Sequence, residues 1–198
     1  VLHGLTCTGK TALLQKLPNA LDLEGLAQHR GSLYGAIGLK PRSQKMFDNL
    51  LLQKLKELNQ QDFIFIEGES RRIGDLMLPD FLWKTICSAT NVLILRDLEI
   101  RVKEMVKEYF LNLQIVEEIK EITRKLWKVI SNQRKEEMLI NLENKEYEKA
   151  AEILLTDYYD PLYNHSLKKL TYTFEIKNNQ LDSALKEIMG KVKLHLKN

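Results

Sequence analysis

Short runs of consecutive apolar residues punctuate the chain and predict the strands of a sheet. Residues 20–23, 63–66 and 92–95 are such runs, and a two-residue stub, Val1-Leu2, begins the sequence. Apolar runs without polar alternation are typical of parallel strands that are covered on both faces. Residues 170–176 instead alternate apolar and polar positions, which predicts one further strand.

Between these runs the apolar residues recur at helical spacing. Ser43 is suited to cap a helix that runs to about Asn59, with further helices expected before Pro18, after Pro79 and after Asn179. The helix that Ser43 caps is predicted to bury one face, which comprises Phe47, Leu50, Leu51, Leu55 and Leu58. The pattern predicts an α/β fold with a mostly parallel sheet flanked by helices.

Residues 98–169 differ from the rest because they contain no strand pattern. Their apolar positions predict three amphipathic helices, over residues 102–113, 115–129 and 139–158, followed by an aromatic turn at 158–163. We therefore expect an α/β core of residues 1–97 and 170–198 and a helical subdomain of residues 98–169. This block is either a solvated helical bundle or a functional lid or tRNA-contacting insertion.

Composition constrains the setting of the protein. Of its 198 residues, 44% are hydrophobic and 29% charged, and the net charge of +3 permits a polyanionic partner without demanding one. No apolar run approaches the roughly 18 residues of a membrane span. Two cysteines and no disulfide pattern indicate a cytoplasmic setting. The missing initiator Met and the short first strand suggest a piece of a longer polypeptide.

The candidate chemistry begins at the first turn of the chain. Residues 4–11 read G-x-x-x-x-G-K-T, the phosphate-binding P-loop pattern, in which glycines let the backbone N–H groups approach phosphate oxygens. The lysine supplies a positive charge and the threonine a hydroxyl for a metal ion or phosphate. The predicted phosphate-binding residues are Gly4, Leu5, Thr6, Cys7, Thr8, Gly9, Lys10 and Thr11.

Acidic residues follow two of the predicted strands. Glu67 and Glu69 come after the run at 63–66, and Asp22 and Glu24 lie near the end of the run at 20–23. Ligands of open α/β sheets bind beyond the carboxyl ends of the strands, so these acids are placed to organise Mg²⁺ or a water. Asp22 and Glu24 have an equal alternative, which is to cap a turn before Gly25.

The two arginines that follow these acids, Arg71 and Arg72, carry a similar ambiguity. A guanidinium can bond two phosphate oxygens at once, so the pair could clamp a diphosphate or a tRNA backbone. The alternative is a salt bridge to Glu67 or Glu69.

Several motifs together resemble one family, the P-loop domain of tRNA 2-selenouridine synthase. After the P-loop come D-L-E-G-L-A-Q-H-R-G-S at residues 22–32, P-R-S-Q-K-M-F at 41–47, E-G-E-S-R-R-I-G at 67–74 and Y-D-P-L-Y at 159–163. These blocks occur in the family's order, and the D-L-E-G and H-R-G-S segments are far more specific than a P-loop alone.

The resemblance implies a two-domain enzyme in which a rhodanese-like domain with a catalytic cysteine precedes the P-loop domain. Such enzymes replace sulfur by selenium at wobble 2-thiouridine of tRNA. They are understood to proceed through an S-geranylated base, with geranyl diphosphate and then selenophosphate as co-substrates. By this resemblance the P-loop would hold a diphosphate rather than a nucleotide.

The family also implies roles for particular residues. Lys10, Glu67, Glu69 and Arg71 are expected to be catalytic, and Thr11 and Glu67 to hold Mg²⁺ if it is used. The residues expected to bind substrate or tRNA are Asp22, Glu24, His29, Arg30, Ser43, Gln44, Lys45 and Arg72.

This chain departs from the family pattern in two respects. It lacks the rhodanese domain, so we expect that domain as a partner in cis or as a separate subunit, and neither cysteine matches the catalytic one. Cys7 also replaces the usual glycine, where a Cβ disfavours positive φ and is expected to tighten or reshape the loop. Cys7 is either a passive loop residue or a reactive thiol.

Two other functions fit part of the pattern. An ATP-dependent small-molecule kinase would share the P-loop, the arginines and a helical lid. A non-catalytic nucleotide- or tRNA-binding module would use the same residues to position a partner's cysteine.

Overall fold

The computed structural model describes residues 1–126 and 129–196. The chain forms two compact units. The first comprises Val1–Gly4, Gly9–Ile94 and the chain from Thr171 onward, and the second comprises Leu5–Thr8 and Leu95–Leu170. Parts of two predictions lie outside the described residues: the helix over residues 115–129 at residues 127 and 128, and the α/β core at residues 197 and 198.

Parallel strand pairs form the sheet. The strands are β1 (Leu2–His3), β2 (Ala20–Leu21), β3 (Phe65–Ile66), β4 (Arg72–Ile73), β5 (Leu76–Met77), β6 (Val92–Leu95) and β7 (Phe174–Lys177). β1 pairs in parallel with β6, and β2 with β3. A parallel bridge between Leu2 and Glu67 joins the two pairs, and β7 lies beside β6, so the order is β2-β3-β1-β6-β7. β4 and β5 form a separate antiparallel hairpin that the sequence pattern did not predict.

Helices occupy most of the remaining chain. They are α1 (Lys10–Lys16), α2 (Leu23–Ala27), α3 (Gln44–Leu58), α4 (Asp80–Ser88), α5 (Leu98–Met105), α6 (Leu113–Lys125), α7 (Asn132–Glu143), α8 (Tyr147–Ile153), α9 (Asp160–Leu167) and α10 (Leu181–His195). Within the described residues, no helix is long and apolar enough to cross a membrane.

Both faces of the sheet are covered in the first unit. Successive strand residues join different cores: Leu21 and Ile66 pack with α3 and α4, whereas Leu2 and Phe65 pack with α1 and α10. Neighbouring side chains of a strand point to opposite faces, so this alternation explains why the runs are apolar throughout. The predicted α/β fold with a parallel sheet and flanking helices is confirmed.

The predicted cap of α3 is also confirmed, because the Ser43 hydroxyl accepts a hydrogen bond from the Met46 amide at 3.4 Å. Three strand predictions were too long. Strand β2 ends at Leu21 because Asp22 caps α2, β3 begins only at Phe65, and β7 begins only at Phe174.

The helices of the second unit begin and end at other positions than the pattern predicted. Helix α5 continues into a π-helical segment, Val106–Phe110, and Asn112 then caps α6. The helix predicted over residues 139–158 is two helices, because the chain turns at Lys145 with a φ of 60°.

The predicted aromatic turn at 158–163 is wrong. This segment is helical, passing from a second π-helical segment, Leu154–Tyr159, into α9. Pro161 is the second residue of α9 and so directly follows the π-helical segment.

Candidate functional site

The loop at residues 4–11 connects β1 to α1. Gly4 and Gly9 take φ values of 155° and 83°, which a glycine adopts without the steric cost of a Cβ. Gly9 caps α1, and Thr11 is the second residue of that helix. The Lys10 ammonium donates a hydrogen bond to the Gly4 carbonyl at 2.9 Å, so the lysine side chain turns back along the loop.

The middle of the loop has a backbone conformation that was not expected. Cys7 has a φ of 61°, the positive-φ conformation that a residue with a Cβ disfavours. The left-handed conformation costs a residue with a Cβ about 1–2 kcal/mol. Thr8 closes the turn, because its hydroxyl donates to the Leu5 carbonyl at 2.8 Å.

Two arginines of the second unit hold this part of the loop. Arg96 Nη1 donates to the Cys7 carbonyl at 3.3 Å, and Arg101 Nε donates to the Thr6 carbonyl at 2.9 Å. Arg101 is buried and also forms a two-bond pair with Asp160, at 3.0 and 2.5 Å. Sequence reasoning missed both arginines; the only signal was Asp160, which lies in the Y-D-P-L-Y block.

Three glutamates meet in the first unit. One carboxylate oxygen from each of Glu24, Glu67 and Glu69 lies within 4.8 Å of the others. Glu67 directly follows β3 and is fully buried. Its Oε1 accepts a hydrogen bond from the Glu24 amide at 2.7 Å, whereas its Oε2 is buried without a hydrogen-bond partner.

The shared burial perturbs the acidity of all three groups. Burial, followed by the charge of Glu69, raises the pKa of Glu24 to about 8. Burial raises the pKa of Glu69 to about 7, although the Lys10 ammonium opposes this, and it raises the pKa of Glu67 well above its ordinary value. The cluster is therefore suited to hold protons or a cation, because three adjacent buried negative charges are unfavourable.

Asp22 has a different role from the three glutamates. Its Oδ1 accepts a hydrogen bond from the Gly25 amide at 2.7 Å as the N-cap of α2. Of the two alternatives for this residue, the structure shows the capping one. The same helix start places Glu24 in the acidic cluster.

The His29 ring, in the loop after α2, packs closely against two glycines. His29 accepts a hydrogen bond from the Gly31 amide at 3.0 Å, and a Cβ at Gly35 or Gly74 would come within 2.7 Å of its ring. Burial lowers the pKa of His29. A Cβ at Gly31 would approach Glu69 Oε2 to 2.6 Å, so this glycine lets the loop lie against the acidic cluster.

Two further predicted substrate residues, Arg30 and Gln44, form hydrogen bonds with the backbone of the first unit. Arg30 Nη1 donates to the Ile37 carbonyl at 2.9 Å within its own loop. The Gln44 side chain accepts from the Met77 amide at 2.8 Å and donates to the Met77 carbonyl at 3.0 Å, joining α3 to β5. Lys45 is exposed.

The alternative considered for the arginine pair, a salt bridge to Glu67 or Glu69, is not what the structure shows. Arg71 pairs with Asp80 at the surface, and Arg72 pairs with Asp75 at 2.9 Å. Arg71 directly precedes, and Arg72 begins, the β4–β5 hairpin, which the pattern did not predict. The arginines therefore do not neutralise the acidic cluster.

A comparison with known protein families agrees with this geometry. The family model described as the tRNA 2-selenouridine synthase AAA domain matches residues 1–139, which include the P-loop, the acidic cluster and both loop-binding arginines. The match covers well over half of the 198-residue chain. With its parallel α/β core and P-loop, this chain belongs to the family of tRNA 2-selenouridine synthase AAA domains.

Proposed function

We propose that this chain is the diphosphate- and tRNA-handling part of a tRNA 2-selenouridine synthase, converting wobble 2-thiouridine to 2-selenouridine through an S-geranyl intermediate. The observation that carries the proposal is the lysine of the P-loop together with a cluster of three carboxylates, of which Glu67 is fully buried and Glu24 and Glu69 are partly buried. A cationic side chain and a hard-cation site together suit a diphosphate leaving group. The family to which the chain belongs supplies the tRNA substrate class.

In the proposed geranyl transfer, the thiouridine sulfur bonds to the isoprenoid carbon as the carbon–oxygen bond to diphosphate breaks. The diphosphate leaves with the bonding electron pair, so negative charge develops on the bridging oxygen. Lys10 would stabilise that charge electrostatically. Its present hydrogen bond to the Gly4 carbonyl is one that a phosphate oxygen can replace.

The loop backbone would provide the remaining phosphate contacts. Gly4 and Gly9 supply positive-φ turns that let N–H groups converge on an anion. Because Gly9 caps α1 without a side chain, it adds no competing acceptor beside the bound phosphate. Nothing in this arrangement selects a nucleotide base, which is why an isoprenoid diphosphate is the favoured ligand.

The acidic cluster fits a divalent cation. Carboxylate oxygens are the donors that Mg²⁺ prefers, and Glu67 Oε2 is buried beside the other two acids without a partner. Glu24, Glu67 and Glu69 would hold the ion, with the Thr11 hydroxyl at the start of α1 as a further oxygen donor. A bound Mg²⁺ would supply positive charge to the diphosphate.

Selenium delivery requires parts that this chain does not supply. The proposal assigns the selenophosphate step to a rhodanese-like domain, in cis or as a separate subunit, because neither Cys7 nor Cys87 matches the catalytic cysteine by position. The helical second unit, and the exposed Arg71, Arg72 and Lys45, are the proposed tRNA contacts.

The test compares the binding of two ligands and the effects of two lysine substitutions. Binding of geranyl diphosphate and of ATP is measured by calorimetry for the natural chain, for Lys10→Ala and for Lys16→Ala. Lys16 is the matched control because it lies in the same helix and pairs with Asp182 at the surface, 3.6 Å away. We expect Lys10→Ala to weaken geranyl diphosphate binding about 10- to 100-fold and Lys16→Ala to change it less than about twofold.

Turnover of 2-thiouridine tRNA with geranyl diphosphate, with and without an added rhodanese domain, then separates the three candidate functions. Tight ATP binding with phosphoryl transfer indicates a kinase. Ligand binding without any turnover indicates a positioning module. Unchanged diphosphate binding by Lys10→Ala refutes the assignment of the loop.

A further inference from the structure

A buried ion pair of the second unit ends on the phosphate loop. Arg101 in α5 exposes only 5% of its side chain and bonds both carboxylate oxygens of Asp160. Its third donor, Nε, bonds the Thr6 carbonyl at 2.9 Å. A guanidinium has five N–H donors in one plane, so a single side chain can satisfy the carboxylate and the loop at once.

The next carbonyl along the loop is held in the same way. Arg96 Nη1 bonds the Cys7 carbonyl at 3.3 Å, and the same guanidinium nitrogen lies 3.7 Å from Glu104. Two consecutive peptide carbonyls of the loop are therefore bound by two different arginines. Both arginines are paired with acids, so neither approaches the loop as an isolated charge.

Fixing a carbonyl also fixes the neighbouring amide. A trans peptide is planar, so the N–H of Cys7 points away from the Thr6 carbonyl that Arg101 holds. Anion-binding loops depend on the direction of such consecutive N–H groups. Cys7 moreover has a φ of 61°, which a side chain with a Cβ disfavours, so an external bond is needed to keep this peptide in place.

We propose that Arg101 is a positioning residue of the phosphate loop, which Asp160 orients and Arg96 assists, and that it aims the Cys7 amide for anion binding. The inference rests on the proposed function only in assuming that the loop binds an anion. The ordering of the loop by Arg101 does not depend on that function. It also gives the Y-D-P-L-Y block a role, because Asp160 begins α9 and carries the arginine's partner carboxylate.

The competing explanation is that the Arg101–Asp160 pair only stabilises the fold. A second arginine of the chain, which also pairs with carboxylates, serves as a control for that effect. Arg134 lies in the same unit and pairs with Asp157 and Glu137 rather than with the phosphate loop. Arg101→Lys and Arg134→Lys thus make the same substitution at a carboxylate pair. Lysine keeps the charge but cannot bond the carboxylate twice and the carbonyl once.

The experiment measures inorganic pyrophosphate binding by calorimetry and hydrogen exchange of the amides of residues 5–8, on the full chain. We expect Arg101→Lys to weaken pyrophosphate binding about 10-fold and to speed exchange of the loop amides by a similar factor. Arg134→Lys is expected to change both by less than about twofold. Circular dichroism and thermal unfolding establish that each variant is folded.

Equal effects of the two substitutions on the loop refute the proposal. If Arg101→Lys does not fold, Asp160→Asn compared with Asp157→Asn tests the same coupling, since only Asp160 orients an arginine that reaches the loop. If the natural chain binds no pyrophosphate, the proposed function fails, while the exchange rates still decide whether Arg101 orders the loop.

Discussion

The acidic cluster predicts that Glu24→Gln stabilises the folded protein more at high pH than at low pH. In Glu24→Gln, the side chain keeps its size but can no longer ionise. Burial and the neighbouring Glu69 raise the pKa of Glu24 to about 8, from an ordinary 4.5. The folded natural chain therefore retains a proton on this carboxyl over a pH range in which the unfolded chain has lost it.

The sign follows from that difference in bound protons. A raised carboxyl pKa costs stability as the pH rises from 4.5 to 8, at about 1.4 kcal/mol per pH unit for one proton. The glutamine variant does not incur this cost. Between pH 5 and pH 7.5, its free energy of unfolding is expected to rise by about 3 kcal/mol relative to the natural chain.

Urea unfolding at a series of pH values, in buffer with EDTA, measures the difference directly. Taking the difference between the two proteins cancels shared groups that do not interact with Glu24, such as His3, whose pKa burial lowers to about 4. The control is Glu57→Gln, because the Glu57 side chain is 64% exposed and pairs at the surface with Lys54, 3.1 Å away. We expect that control to differ from the natural chain by less than about 0.5 kcal/mol at every pH.

The result that refutes the reasoning is a flat difference. If the stability of Glu24→Gln relative to the natural chain changes by less than about 1 kcal/mol over the range, Glu24 is ionised in the folded protein. The acidic cluster would then be better solvated than its burial implies, and its suitability for a cation would lose its electrostatic basis.

Three further results are expected. Mg²⁺ should raise the melting temperature of the natural chain more at pH 8 than at pH 6, since it binds ionised carboxylates, and Glu67→Gln should remove this response in the same thermal scan. Cys7→Val should be about 1–2 kcal/mol less stable than Cys7→Gly in urea unfolding, because a β-branched residue disfavours the φ of 61°; equal stabilities would contradict the strain. Gly35→Ala should lower the free energy of unfolding by about 1–3 kcal/mol, since the Cβ of the new alanine would lie 2.7 Å from the His29 ring. An unchanged free energy of unfolding would show that the ring moves aside.

Local patterns determined more of the core than of the helical unit. The apolar runs identified strands because a parallel strand covered on both faces needs apolar residues at every position. The 139–158 prediction failed because Lys145 reverses the chain at a point where the apolar spacing continues on both sides. The hairpin of β4 and β5 was missed because two-residue strands leave no periodicity to detect.

The sequence by itself also identified the family and predicted phosphate binding by the loop, since Lys10 and Gly9 are adjacent and the predicted roles depend on local backbone. Only the tertiary structure brought Glu24, in a helix after β2, to Glu67 and Glu69 after β3. It also decided between the two alternatives for Asp22 in favour of the helix cap. The partners of Arg101 illustrate the same limit. Thr6 and Asp160 are far apart in sequence, and long-range contacts arise from packing, which no local pattern encodes.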